Sequence, residues 1–314
     1  MLPPVVVAVD PADAAALALA AESAGLPAEV VGLADVRRHL DAEEPRAILL
    51  YVGSDLALSH AGLRAVTDHR FAPGATDRLL LVGSASTLDA IEPLVRERRA
   101  IWTVAPSIAT LDTADLAALL GEASGSSTLA RRAPSRCALH VRASSERHAA
   151  VEAARAFAGE CGAGASAVSR LGAAVEELLS NALYHAPVDR HGGRRFAAVE
   201  RTQPVALAPG EVIEIELASD GARIGAVVRD PFGSLDHGAF FDALARGFGG
   251  RGDGRSRDST GAGLGLSYTL GLVEGLRVEV HPGRTSEVST HVRSRSRGFR
   301  KSLCVRIGGG ANRC

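Results

Sequence analysis

The 314-residue sequence predicts an α/β chain with two domains of different architecture. Residues 1–125 alternate short apolar runs with helical patterns, which is typical of a doubly wound parallel sheet. Residues 126–136 are rich in Ser, then basic, and lack apolar periodicity, so they are predicted to form a linker. Residues 137–314 carry strands and helices in groups, which predicts an α+β sandwich.

The apolar runs of the first domain are rich in Val, Ile and Leu. Strands of this composition are buried on both faces, as in a parallel sheet covered by helices. Helical patterns separate the runs, so we expect βα units in a flavodoxin-like arrangement. The runs are VVVAVD (5–10), AEVVGL (28–33), RAILLYVG (46–53), DRLLLVGS (77–84) and AIWTVA (100–105).

The second domain is predicted to begin with a strand at 137–144 and a helix, and a longer helix follows at 165–186. Two strands come next, at 211–220 and 223–230. A span rich in Gly, Arg, Asp and Ser (233–260) has the composition of a mobile lid. A helix (GLGLSYTLGLVEGL) and two closing strands, EVSTHVRS and KSLCVRI, complete the domain.

Composition narrows the function classes. The formal net charge of −1 provides no bulk field that would recruit nucleic acid or an anionic membrane. The four cysteines are scattered without CxxC spacing, which disfavours a zinc site or a disulfide framework. The first residues lack the pattern of a signal peptide, and no apolar run approaches the ~20 residues that span a bilayer. We therefore expect a cytoplasmic protein.

Two short motifs carry polar groups suited to ligand chemistry. Glu177 and Asn181 are four residues apart on the second long helix, hence on one face. Their oxygens can hold a hard cation and orient a hydroxyl, although Glu177 alone also fits a surface carboxylate. Asp230 ends an apolar strand and precedes a turn that contains Gly233. It can accept a hydrogen bond from a ligand amino group, or it can simply end the strand in an Asp-Pro turn.

A third motif opens the helix after the Gly-rich span. Gly261, Gly263, Leu264 and Gly265 form a GxGLG sequence. Glycines let the backbone approach a phosphate chain, whose charge a helix N-terminus stabilises. This spacing differs from the dinucleotide-binding fingerprint, and no strand comes directly before it.

In this order, the three motifs resemble the N, G1 and G2 boxes of the GHKL ATPase superfamily, which includes gyrase, histidine kinases and anti-sigma-factor serine kinases. The resemblance covers roughly 137–307. It implies that Mg²⁺ and ATP are the cofactors, that Asn181 binds the metal, that Asp230 reads the adenine amino group and that Glu177 is the general base. The implied cofactor-binding residues are Asn181, Asp230, Gly233, Gly261, Gly263, Leu264 and Gly265.

The anti-sigma-factor serine kinases look most similar, because a strand and a helix run straight into E-x-x-x-N-A-x-x-H-A. One departure is clear. Phe232 and Ser234 stand where the G1 box usually has glycines, so the Phe232 ring either crowds the adenine pocket or packs against the purine. His140 and His148 lack the context of a phosphoacceptor, and we expect ordinary exposed or half-buried side chains. Four lid arginines are candidates to close on phosphates, although a solvated loop is the simpler interpretation: Arg246, Arg251, Arg255 and Arg257.

The first domain resembles a two-component receiver domain that has lost its chemistry. Asp10 and Asp13 lie near the expected acidic cluster, but Tyr51 replaces the phosphoacceptor Asp and Ala105 the Lys. Asp55 is a weak candidate for a displaced acceptor. An unrelated flavodoxin-like domain remains an alternative. A binding or regulatory role is expected here in either case.

These expectations leave three functions open. The first is an ATP-dependent serine/threonine kinase that acts on a regulatory protein such as a sigma factor or an anti-sigma antagonist. The second is a non-catalytic binding module, gated by nucleotide or free of it. The third is a histidine-kinase remnant without its dimerisation helices. We expect no direct contact with nucleic acid or membrane, and the sequence leaves open whether the chain forms a homodimer.

Overall fold

A computed structural model of the chain describes strands of the first half and most of the second half. The described residues are 5–7, 29–31, 48–52, 79–83, 101–104, 133–196, 198–200, 202–235, 264–295 and 301–307, with Ala15, Ala18, Leu19, Glu22, Leu129 and Phe240. The chain divides into two compact units. The first is Met1–Thr128 with Arg300–Val305, and the second is Leu129–Phe299 with Arg306–Cys314.

The described strands of the first unit fall within the apolar runs that the sequence indicates. They are β1 (Val5–Val7), β2 (Glu29–Val31), β3 (Ile48–Val52), β4 (Leu79–Gly83) and β5 (Ile101–Val104). β1 pairs in parallel with β2 and β3, β3 with β4, and β4 with β5. Most residues of the helices predicted between them lie outside the described residues, so the doubly wound arrangement stays a prediction.

The last strand of the chain is β11 (Lys301–Ile307). The sequence predicts that it closes the second domain. In the structure, Lys301–Cys304 pairs antiparallel with β5, with Lys301 opposite Val104 and Cys304 opposite Ile101. The edge of a sheet presents unpaired N–H and C=O groups, and a strand from anywhere in the sequence can satisfy them. Periodicity within the strand does not indicate which edge it will join.

The second unit contains an antiparallel sheet of five strands within the described residues, so the protein is of mixed α/β class. The spatial order is β9-β10-β8-β7-β6, and all four pairings are antiparallel. The strands are β6 (Ser135–Val141), β7 (Ile213–Ser219), β8 (Arg223–Asp230), β9 (Gly275–His281) and β10 (Thr285–Arg293). Alternate residues of β7, Ile213, Ile215 and Leu217, are buried and give the sheet one apolar face.

β9 corrects the predicted helix over GLGLSYTLGLVEGL. The helix ends at Leu272, and the strand begins at Gly275. Leu276, Val278 and Val280 alternate with polar residues and are buried, which is the period of a half-buried strand. The β-branched residues of RVEV favour an extended backbone over a continued helix.

Three helices of the second unit are described: α1 (Arg147–Glu160), α2 (Ala165–Ser180) and α3 (Leu264–Leu272). α1 ends at a glycine with positive φ, Gly162, in the backbone pattern that commonly terminates helices. α2 contacts β8, β10, α1 and α3. Its buried Leu171, Val175 and Leu179 recur every fourth residue, which is the helical spacing of one apolar stripe. In the described part of the chain, no helix has both the length and the apolarity that crossing a membrane requires.

Candidate functional site

Neighbouring glutamates near the end of α2 have different environments. Glu176 forms an ion pair with Arg147 of α1, with Oε1 2.9 Å from Nε. Arg147 also donates to the Ser180 hydroxyl at 3.2 Å. Glu177 lies about 100° further around the helix and contacts α3 instead. The two carboxylates therefore point apart, and the Glu177 side chain lies on the side of α2 that faces α3.

Glu177 lies directly against the backbone of Gly265 near the start of α3. A Cβ at Gly265 would overlap the Glu177 carboxylate and would lie 2.8 Å from its Cγ. Real Cβ atoms do not approach this closely, so the packing of α3 on α2 requires glycine at this position. The Thr269 hydroxyl donates to the Gly265 carbonyl, one turn earlier in α3, at 2.8 Å. The first and third sequence motifs are therefore in contact.

Asn181 stands where α2 changes its hydrogen-bonding pattern. Residues Asn181–His185 form a π-helical turn, in which the Ala186 N–H donates to the Asn181 carbonyl at 3.0 Å. The sequence predicts an uninterrupted helix to 186, which is wrong at this turn. The wider turn accompanies the burial of Tyr184, whose hydroxyl donates to the Gln203 carbonyl at 2.9 Å. Turns of this kind occur mainly as single insertions and often at functional sites.

The side-chain amide of Asn181 is not satisfied within the described residues. Its Nδ2 is buried and has no hydrogen-bond partner there. An unpaired buried amide group costs about 1–3 kcal/mol, so native structures usually pair it with protein, water or a ligand. Rotation of the amide by 180° exchanges its nitrogen and oxygen, so the same position can offer an oxygen to a cation. This orphaned group fits the predicted metal-binding role.

Asp230 ends β8 and is buried, with 8% of its surface exposed. Its Oδ1 accepts hydrogen bonds from the backbone N–H groups of Phe232 at 3.0 Å and Gly233 at 3.4 Å. Burial raises the pKa of this carboxyl, and hydrogen bonds from Phe232, Ser286 and Gly233 act in the opposite direction. Ser286 of β10 lies opposite Asp230 in the ladder and is also buried. The pair forms a small polar group within an otherwise apolar sheet face.

Gly233 is required by the backbone of the turn that follows β8. Its φ is +57°, and a Cβ there would lie 2.7 Å from the Arg284 nitrogen and 2.8 Å from that of Gly283. The Gly283 N–H donates to the Gly233 carbonyl at 3.2 Å. Gly233 thus contacts the backbone of the β9–β10 turn in addition to donating its N–H to Asp230. The backbone contacts make its role at least partly structural.

Ser234 joins the same turn to the end of the π-helical segment. Its hydroxyl donates to the Ala186 carbonyl at 2.6 Å. The second motif is therefore tied to the segment that follows Asn181. The elements that carry Glu177, Asn181, Asp230 and Gly265 thus all meet at the C-terminal end of α2.

Arg195 is a residue that the sequence did not indicate. Its guanidinium carbon lies 5.2 Å from the centre of the Phe232 ring and 5.7 Å from that of Phe196. It also forms an ion pair with Glu211 at 2.6 Å, while its buried Nε has no hydrogen-bond partner among the described residues. Nothing in the local pattern distinguishes Arg195 from the exposed Arg194 beside it. Only the fold brings it to Phe232.

Several predicted residues lie outside the described residues. Gly261 and Gly263 are among them, and Leu264 is described only as the first residue of α3. The others are the lid arginines Arg246, Arg251, Arg255 and Arg257, and the receiver-like positions Asp10, Asp13, Asp55 and Ala105. Tyr51 lies in β3, opposite Val82 of β4. His140 and His148 are exposed.

The chain matches no protein-family model, and no curated protein is significantly similar to it in sequence.

Proposed function

We propose that the second unit is a GHKL-type ATP-binding domain with an α+β sandwich fold, and that it binds Mg²⁺ and ATP. The observation that supports this most strongly is the contact between the Glu177 carboxylate and the Gly265 backbone. It brings together two motifs that are distant in sequence. A glycine so close to a carboxylate is expected where an N box and a G2 box face the same ligand.

The described side chains fit ATP. Asp230 is a buried hydrogen-bond acceptor, and a carboxylate can accept a further hydrogen bond from the adenine amino group. Asn181 provides a buried amide without a partner among the described residues. Mg²⁺ usually takes one or two protein oxygens and completes its shell with water and phosphate oxygens, so a single amide oxygen is a sufficient protein ligand.

The bound cofactor would supply a phosphoryl group whose negative charge the metal neutralises. The residues of the chain would orient the reaction. Glu177 would accept the proton of a serine or threonine hydroxyl of a partner protein, because positioned carboxylates act as general bases. The Gly265 backbone holds that carboxylate on one side, which restricts its orientation.

On this basis, the chain is a cytoplasmic regulatory protein of the anti-sigma-factor kinase type. It would phosphorylate a protein partner, such as a sigma factor or an anti-sigma antagonist, or switch its binding to that partner. The first unit would be a flavodoxin-like, receiver-like domain with a regulatory role. Tyr51 and Ala105 remove the acceptor and the cation that a receiver domain needs for phosphorylation.

A second candidate is a binding module without kinase activity, with or without nucleotide. The observation that favours it is Phe232, a buried ring at a position where the family usually has glycine. If the ring narrows the site, nucleotide binding weakens and transfer fails first, because transfer depends more strictly on geometry.

Calorimetric titration tests nucleotide binding directly. The whole protein is titrated with a non-hydrolysable ATP analogue, with and without Mg²⁺, and with the matching GTP analogue. We expect Mg²⁺-dependent binding of the ATP analogue and weaker binding of the GTP analogue, because GTP presents a carbonyl to Asp230. Asp230→Ala should cost about 1–3 kcal/mol of binding free energy.

Asp220→Ala is the matched control. This carboxylate is exposed in the turn before β8 and pairs with Arg223 at 2.9 Å, at the opposite end of the strand from Asp230. It should bind the analogue as the wild type does. Equal affinity of the wild type for the two analogues would overturn the role of Asp230.

A further inference from the structure

Three contacts within the protein hold the turn that follows β8, and none of them involves the residue proposed to bind the ligand, Asp230. On one side, the Gly283 N–H donates to the Gly233 carbonyl at 3.2 Å. On another, the Ser234 hydroxyl donates to the Ala186 carbonyl at 2.6 Å. A third contact is made by the ring of Phe232, and a glycine at position 232 would abolish it.

That third contact is the stack of Arg195 on Phe232. The guanidinium carbon lies 5.2 Å from the ring centre, within the range of a cation–π interaction. Arg195 is itself fixed, because its Nη2 lies 2.6 Å from Oε2 of Glu211. Its guanidinium carbon also lies 5.7 Å from the centre of the Phe196 ring. Its backbone N–H donates to the Pro187 carbonyl at 3.0 Å. The guanidinium is therefore a rigid support for the ring.

The position of the ring matters because the Phe232 backbone orients Asp230. The N–H groups of Phe232 and Gly233 donate to Oδ1 of Asp230 at 3.0 and 3.4 Å. These bonds restrict the rotation of a buried carboxylate. If the turn shifts, the carboxylate loses these two donors.

We propose that Arg195 is a positioning residue, which holds the Asp230 carboxylate in one orientation by stacking on Phe232. A carboxylate held in this way distinguishes a base with an amino group from one with a carbonyl at the same place. This consequence, selection of adenine over guanine, rests on the proposed function, whereas the positioning of Asp230 does not. In this chain, Phe232 would therefore help to hold Asp230 in place for the recognition of adenine. In the GHKL superfamily, a glycine usually stands at this position.

The first test measures the preference for ATP over GTP analogues in Arg195→Met and Phe232→Leu. Both substitutions keep the size of the side chain roughly constant and remove the stack. We expect each to lower the ratio of the two affinities about tenfold. The double variant should fall no further, because the two residues act as a unit. Arg194→Met, an exposed neighbour, is the control and should keep the wild-type ratio. A uniform loss of affinity for both analogues, with the ratio unchanged, would show a merely structural role and overturn the proposal.

The second test needs no nucleotide. Hydrogen exchange of the Phe232 and Gly233 amides, followed by nuclear magnetic resonance, should be faster in Arg195→Met than in the wild type and Arg194→Met. Unchanged exchange would contradict the positioning role. If the wild type binds neither analogue, the proposed function fails, and this measurement still decides the inference. Should Arg195→Met not fold, Arg195→Lys, which keeps the charge but not the planar contact, is compared in the same way.

Discussion

The carboxylate of Glu177 on α2 lies so close to Gly265 on α3 that any side chain at position 265 would overlap it. The sequence motif alone suggests that the glycines of this loop serve backbone flexibility near a phosphate. At Gly265 the reason is instead a close helix–helix approach, onto a carboxylate expected to act in chemistry. Gly265 therefore serves both the packing of α3 on α2 and the candidate site, because the group that it packs against is the Glu177 carboxylate.

Gly265→Ala should destabilise the protein by about 1–3 kcal/mol, because the new methyl group must displace the Glu177 side chain. In a Glu177→Ala background the obstacle is gone. The same substitution should then be neutral or stabilising by up to about 1 kcal/mol, since Ala favours the helix more than Gly does. Urea unfolding of the four proteins measures the difference. An equal cost of Gly265→Ala in both backgrounds would disprove the contact.

Gly159→Ala is the control for this cycle. Gly159 lies in α1, and nothing stands within 4 Å of a Cβ at that position. We expect a gain of about 0.5–1 kcal/mol with either residue at position 177.

Asp230→Asn should stabilise the fold at neutral pH while weakening the binding of ATP. Burial raises the folded-state pKa of Asp230, so its ionised form is unfavourable in the native protein. That penalty is fully present above the folded pKa and disappears below the unfolded value of about 3.9. Asn keeps an oxygen to accept the Phe232 N–H. The stability advantage of the variant, measured by urea unfolding, should therefore shrink as the pH falls from 7 toward 4. If the gain in unfolding free energy of Asp230→Asn did not change with pH, burial of the charged carboxylate would not be its cause.

Asn181→Ala and Glu177→Gln should separate metal binding from chemistry. Asn181→Ala should weaken Mg²⁺-dependent binding of the ATP analogue, because it removes the proposed ligand. Glu177→Gln is nearly isosteric and should bind the analogue almost as the wild type does. In a kinase assay with a native partner protein, Glu177→Gln should lose ~10²–10⁴-fold of the transfer rate.

Two outcomes would change this assignment. If Glu177→Gln loses affinity as strongly as Asn181→Ala, Glu177 is a binding residue rather than a base. If the wild type and Glu177→Gln both lack turnover and hold the partner equally well, the chain is a binding module.

His291 should make the fold sensitive to mild acid. Its imidazole lies over Gly275 in the β9–β10 ladder, where a Cβ would be 2.9 Å from its Nε2. Burial lowers the pKa of His291 to about 4, Arg223 and Arg293 add to this, and Asp220 opposes it. The histidine of the unfolded chain binds a proton near pH 6.5. Above that pH, His291 should therefore not reduce the free energy of unfolding. The free energy of unfolding should fall as the pH drops toward 4, by up to about 3 kcal/mol.

His291→Gln should remove most of this loss between pH 7 and pH 4.5. The comparison uses the free energy of unfolding in urea at several pH values. His140→Gln, at an exposed position on β6, should follow the wild-type profile. An identical pH profile for His291→Gln and the wild type would rule out this histidine as the source.

Local patterns in the sequence predicted much of the second unit. The pattern at 165–186 predicted the helix that contains α2, and apolar runs predicted β7 and β8 at nearly their observed bounds. These features depend on the period of a single element, which neighbouring residues determine.

The tertiary structure decided what depends on packing between distant segments. The pairing of β11 with β5, the π-helical turn at Asn181 and the stack of Arg195 on Phe232 have no local signature. Each depends on which surface a segment meets after the elements pack, and a period of two or 3.6 residues carries no information about that. The sequence therefore determined which residues could form a site. Packing determined that Gly265 meets Glu177 and that Phe232 has a support.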